Sequence, residues 1–135
     1  MEKVLQSGIR NIIFFTVFFI TFVSCYNPTD DISAFSGISM KGRITLIEKK
    51  RIDSSGINGD YSCIYQYQID DPIVITNAEC NLKKYSYSDI DTCDILYGYL
   101  MYSSGFYKIS FVDNSLKSLY IDTTNKKIIY CICSI

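Results

Sequence analysis

Residues 106–112 (FYKISFV), the break Asp113-Asn114-Ser115, residues 116–121 (LKSLYI), the break at 122–125 and residues 126–134 (KKIIYCICS) decide the fold. In the first of these runs Tyr107, Ile109 and Phe111 take one face, and Lys108 and Ser110 take the other. Alternation with a period of two marks a half-buried strand. Short clusters of turn residues between such runs make antiparallel neighbours. Upstream, residues 95–102 (ILYGYLMY) followed by Ser103-Ser104-Gly105 extend the series to a four-stranded meander. Gly98 and the tyrosines count against a helix there. The expectation is an all-β, mainly antiparallel domain: a small disulfide-stapled sandwich or partly closed barrel ending in that meander.

Further upstream the pattern is weaker. Residues 43–49 (RITLIEK) read as a first strand, and 51–60 (RIDSSGINGD) as a turn cluster. In residues 62–69 (SCIYQYQI), Cys63, Tyr65, Tyr67 and Ile69 share a face, with Gln66 and Gln68 on the other. The β-branched run 73–76 (IVIT) follows the break Asp70-Asp71-Pro72 and reads as a short strand. Residues 77–94 read as a polar loop or short helix, and 26–42 as an irregular lead-in. A length of 135 residues allows one domain, placed at 43–135.

The first 25 residues differ from all that follow. A polar start carrying Lys3 and Arg10 leads into the apolar run 12–23 (IIFFTVFFITFV), then Ser24, Cys25 and a polar break. That order is the order of a cleaved secretory signal. A spanning helix needs about 20 apolar residues, more than this run supplies. The stretch Phe22-Val23-Ser24-Cys25 resembles the lipobox of bacterial lipoproteins, although Phe22 departs from its first position. That resemblance implies, as the alternative to secretion, a cell-envelope protein anchored by lipid on Cys25.

In an exported small domain, cysteines are read first as disulfides. The candidates are Cys63, Cys80, Cys93, Cys131 and Cys133. On a strand Cys131 and Cys133 stand side by side, so each is expected to reach a different partner among Cys63, Cys80 and Cys93. Five is odd. Cys25 joining the set, a buried free thiol, or a disulfide-linked dimer would each account for the remainder. The chain has no histidine, and its one close cysteine pair lacks the spacing of a zinc site. No metal or cofactor site is expected.

Charge argues against nucleic acid. The net charge is −1, and the only basic cluster is Lys49-Lys50-Arg51, read as a solvated strand end or turn. Asp89, Asp91 and Asp94 lack the spacing of a calcium loop. Gly59, Tyr61 and Cys63 resemble one strand of an immunoglobulin domain, but no upstream strand cysteine or core tryptophan accompanies them. Catalysis lacks its usual parts, with no histidine base, no nucleophile elbow and no phosphate loop. The compositional oddity is tyrosine: 12 residues, against no tryptophan. Tyrosine offers stiff, amphipathic contact area at low entropic cost, and it also fills cores and favours strands. Tyr85 and Tyr87 in the loop, and Tyr97, Tyr99 and Tyr102 on the expected strand, are the candidate binding face. The expected function is a secreted, non-enzymatic binding protein whose partner is an extracellular protein or cell surface, with no membrane span after signal cleavage. A small barrel holding an apolar ligand is a further alternative.

Overall fold

The computed structural model describes residues 28–53, 61–92 and 94–134. Its framework is one six-stranded antiparallel sheet. The strands are β1 (Ile44–Asp53), β2 (Tyr61–Ile69), β3 (Lys83–Ser86), β4 (Ser104–Val112), β5 (Ser115–Asp122) and β6 (Lys127–Ser134). Their order across the sheet is β1-β2-β6-β5-β4-β3. The sheet is open, neither closed into a barrel nor stacked on a second sheet among the described residues, which corrects both expected architectures. The reason is that the segment before β1 and most of the chain between β2 and β4 supply helical and turn covers for the sheet's faces, and only β3 is added as a strand.

Among the described residues three α-helices provide that cover. Helix α1 (Pro28–Ser36) starts with a proline and carries Asp30 and Asp31 in its first turn. Both features suit a helix N-terminus, where a missing N–H costs nothing and negative charge meets the helix dipole. Gly37, at φ 73°, ends it in the left-handed conformation. Helix α2 (Ile73–Asn81) follows Pro72 at its N-cap, and the Oδ1 of Asp71 just ahead accepts the Ile73 N–H at 3.1 Å. The short α3 (Tyr97–Leu100) lies where a strand was expected. The meander is therefore β4-β5-β6, and its outer neighbour is β3, not residues 95–102.

The two faces carry separate cores. On one, Tyr65, Tyr67, Leu119, Ile121, Ile128 and Tyr130 of the sheet pack against Ile32 and Phe35 of α1 and Val74 and Ala78 of α2. On the other, Ile64, Tyr120, Ile129 and Cys131 pack against Tyr85, Leu96 and Leu100. Burying such side chains contributes roughly 1.5–3 kcal/mol each. Polar ties fix α1 to the sheet. Lys117 Nζ bonds Asp31 Oδ1 at 3.0 Å, and the Tyr130 hydroxyl donates to Asp31 Oδ2. Burial alone would raise the Asp31 carboxyl, but the Tyr130 and Lys117 donors outweigh it and hold the group below its ordinary value. Lys108 Nζ donates to the Phe35 carbonyl at 2.7 Å, neutralising the carbonyl end of α1.

The expected cysteine staples are absent among the described residues: Cys63, Cys80, Cys131 and Cys133 are free thiols. Register explains why. Cys63 pairs with Ile132 and belongs to the α1 face, whereas Cys131 pairs with Ile64 and belongs to the opposite face. A sheet lies between the sulfurs that were expected to join. Cys80 sits exposed on α2. Cys131 and Cys133 share a face instead, with sulfurs 3.6 Å apart. Cys25, Cys93 and residues 1–25, the expected signal, lie outside the described residues.

Candidate functional site

The site forms where β3 meets β4, on the face covered by residues 87–102. Tyr85 lies on β3 opposite Gly105. A side chain at 105 would place its Cβ 1.9 Å from the Ile121 carbonyl oxygen, so only glycine permits this close approach of strands. The Tyr85 ring meets Tyr120 edge-on at 5.2 Å and 87°, and Tyr107 stacks on Tyr120 at 5.9 Å and 16°. Such pairs add about 0.5–1.5 kcal/mol beyond their buried area. The Tyr85 hydroxyl and Ser103 Oγ lie 3.0 Å apart, and Ser103 Oγ donates to the Leu100 carbonyl at 2.6 Å. Burial pushes the Tyr85 and Tyr120 phenols up to about 12.

These rings floor a cavity of about 270 Å³, completed by Lys84, Asp89, Ile90 and Ile109. Lys84 and Asp89 give the rim one charge of each sign. A 3-10 turn at Tyr87–Asp89 shapes one wall and is locked by a capping box. The Asp89 carboxylate accepts the Ser86 N–H at 2.9 Å. Directly after this strand end, the Tyr87 N–H bonds the Ser103 carbonyl at 3.0 Å.

That bond brings Tyr87 beside Tyr102, with ring centroids 5.3 Å apart. Tyr102 is 71% exposed and its backbone is left-handed at φ 60°. For a non-glycine residue this region costs about 1–2 kcal/mol. The chain thus holds a strained backbone and leaves an aromatic ring in water.

Of the tyrosines chosen from sequence, Tyr87 and Tyr102 come together at the surface. Tyr97 and Tyr99 lie half-buried on α3, and Tyr99 packs against the core beneath. Tyr85 is core, on a strand and not in a loop. Sequence reading missed Tyr107, Tyr120 and Ile90. The alternation of residues 106–112 gave the face of Tyr107, but its stack on Tyr120 depends on the β4–β5 register.

Among the described residues no group of three or more metal-ligating side chains comes together, and no helix is long and apolar enough to cross a membrane. No family model, curated protein or solved structure matches the chain.

Proposed function

We propose that this is an exported, non-enzymatic binding protein, and that it engages a protein partner through the Tyr87–Tyr102 pair and the tyrosine-floored groove beside it. The observation that carries this reading is Tyr102. Its left-handed backbone belongs to the turn that the Ser103 N–H closes onto the Leu100 carbonyl at 3.0 Å, a position that glycine fills without strain, and here a 71% exposed aromatic ring occupies it instead. Exposed aromatic rings over a rigid base are the anchors of protein interfaces. Rigidity here comes from the capping box, the Ser103 bonds and the interlocked rings below. The groove's modest size suits one inserted side chain from a partner, flanked by complementary contacts to Lys84 and Asp89.

Export is the second part of the proposal. It rests on the order of residues 1–25, and secretion is the destination it favours over a lipid anchor on Cys25.

Site-specific photocrosslinking in the producing cells tests the binding claim. A photoreactive residue at Tyr102 should capture a discrete protein, and the same residue at Thr45 on the far edge should not. The crosslink should disappear in Tyr87→Ser. A capture pattern indistinguishable between positions 102 and 45 would overturn the reading. The intact mass of the mature protein tests export separately. A chain retaining Met1 or residues 2–24 would refute cleavage, and added lipid mass on Cys25 would redirect the localisation to the envelope.

A further inference from the structure

The two edges of the sheet are not alike. Along β1, a bulge interrupts the ladder between Leu46 and Glu48, and Lys49, Lys50 and Arg51 stand exposed beyond it. Bulges and edge cations block the addition of another strand. The β4 edge has no such defence. Strand β3 covers β4 only from Ser104 to Tyr107, so, among the described residues, 108–112 have no strand on the side away from β5. Ile109 is 47% and Phe111 71% exposed there. The one cation in the stretch, Lys108, stands at its β3 end with its Nζ bonded to the Phe35 carbonyl, which leaves residues 109–112 without a charge.

Hydrogen-bond directions follow from the hairpin. The two-residue turn Asp113-Asn114, with φ of 50° and 61°, is closed by Val112 and Ser115. In such a hairpin the closing pair is hydrogen-bonded, and alternate residues follow suit. Val112, Ser110 and Lys108 therefore bond β5, and the N–H and C=O groups of Ile109 and Phe111 point outward from the open edge.

We infer that this edge pairs with its own copy, antiparallel about a two-fold axis at Ser110. In that register Ile109 of one copy faces Phe111 of the other, twice, and the two exchange both backbone hydrogen bonds. Lys108 faces Val112, so no like charges meet. The same register brings the Asp113-Asn114 tip of the second copy towards Lys83. A cavity of about 560 Å³ lies there, lined by Asn81, Leu82, Lys83, Tyr107, Lys108 and Ile109. Asp113 and Lys83 complement each other in charge, again twice by symmetry. Shifting the register by two residues loses the Ile109–Phe111 reciprocity, which selects the alignment. This inference does not rest on Tyr102 or on the compartment.

Sedimentation velocity on the mature protein over a wide concentration range tests it, with Phe111→Lys and Ser110→Cys as variants. The wild type should convert from monomer to dimer with concentration, and Phe111→Lys should weaken dimerisation at least about tenfold. Ser110 and its symmetry mate form a non-hydrogen-bonded pair, with Cα atoms about 4.5 Å apart, within disulfide range. Ser110→Cys should accordingly oxidise to a covalent dimer faster than Thr45→Cys on β1. A wild type that stays monomeric throughout, a dimer indifferent to Phe111→Lys, or cysteine crosslinking at 45 that matches 110 would each overturn the inference.

Discussion

Replacing Gly105 by alanine is the most severe small change the structure offers. The added Cβ would lie 1.9 Å from the Ile121 carbonyl oxygen, 3.0 Å from its carbon and 3.1 Å from the Thr123 nitrogen. All three are backbone atoms of β5 and its turn, so no side chain can swing aside. Relief requires β4 and β5 to separate locally, which unmakes the pairing of Gly105 with Asp122. Each buried backbone group left without a partner costs about 1–3 kcal/mol, and overpacking adds about 1–3 kcal/mol. We expect a loss of about 3–5 kcal/mol, a large share of the roughly 5–15 kcal/mol that holds a domain folded. Gly98 supplies the control. It lies in α3, and an added Cβ there meets nothing within 4 Å. Gly98→Ala should stabilise by up to about 1 kcal/mol, through reduced freedom of the unfolded chain. Urea unfolding followed by circular dichroism measures both variants. Losing 3–5 kcal/mol lowers the Gly105→Ala midpoint by about 1 M or more at an ordinary slope. A Gly105→Ala protein within about 0.5 kcal/mol of wild type would refute the claim that strand spacing at β4–β5 depends on this glycine.

Three further expectations can be checked on the purified protein. Asp31→Asn removes the carboxylate that ties α1 to Lys117 and Tyr130, and should destabilise by about 1–2 kcal/mol. Because Asp31 is held below its ordinary value when folded, its contribution is present above the unfolded carboxylate range and is lost as pH falls through the folded value. Acid titration of stability should therefore be shallower in the variant, and parallel curves would exclude the tie. Tyr85 and Tyr120 ionise near 12 when folded, against about 10 when unfolded, so the stability they contribute is present below pH 10 and falls between about 10 and 12. Ultraviolet titration of the folded protein should show at least two tyrosines ionising only near 12, and ionisation of all twelve near 10 with the fold intact would refute the placement of Tyr85 and Tyr120. Under native conditions iodoacetamide should modify Cys80 well before Cys131, whose thiol is covered and pushed up by burial. Equal rates by peptide mass would contradict the packing of β6.

Strands β2 and β4 were legible from alternation and β5 and β6 from the turn residues that bound them, whereas β1 was read only to Lys49 and runs on to Asp53, through residues expected in a turn. The helices were not. In residues 73–76 the β-branched composition favoured a strand, yet Val74 and Ala78, four apart, are the pair that the core accepts. Residues 95–102 carry the same signal, since Leu96 and Leu100 are buried while Ile95 and Met101 stay exposed, a spacing of four and not two. The proline and paired aspartates that open α1 are helix-start signals in a segment that was read as irregular. The cysteine pairing failed for another reason. It depended on which face each sulfur occupies, and that depends on the register of β2 against β6. At the candidate site the surface tyrosines were visible in composition. The strain at Tyr102 comes from the turn that Ser103 closes onto Leu100, which no glycine or asparagine announces, and the bond joining residues 87 and 103 comes from tertiary structure.

The position of β6 between β2 and β5 has a consequence for how the molecule is made. Hairpins β1-β2 and β4-β5 are local, but neither touches the other until residues 127–134 slide between them. A nascent chain thus carries two unfinished half-sheets, each with a bare inner border, and the last of these six strands to be synthesised is the one that joins them. Folding waits on a contact spanning more than sixty residues, Ser62 to Cys133, which places the slow step after synthesis of β6. A chaperone or translocation channel that kept that single strand away would hold the whole sheet apart.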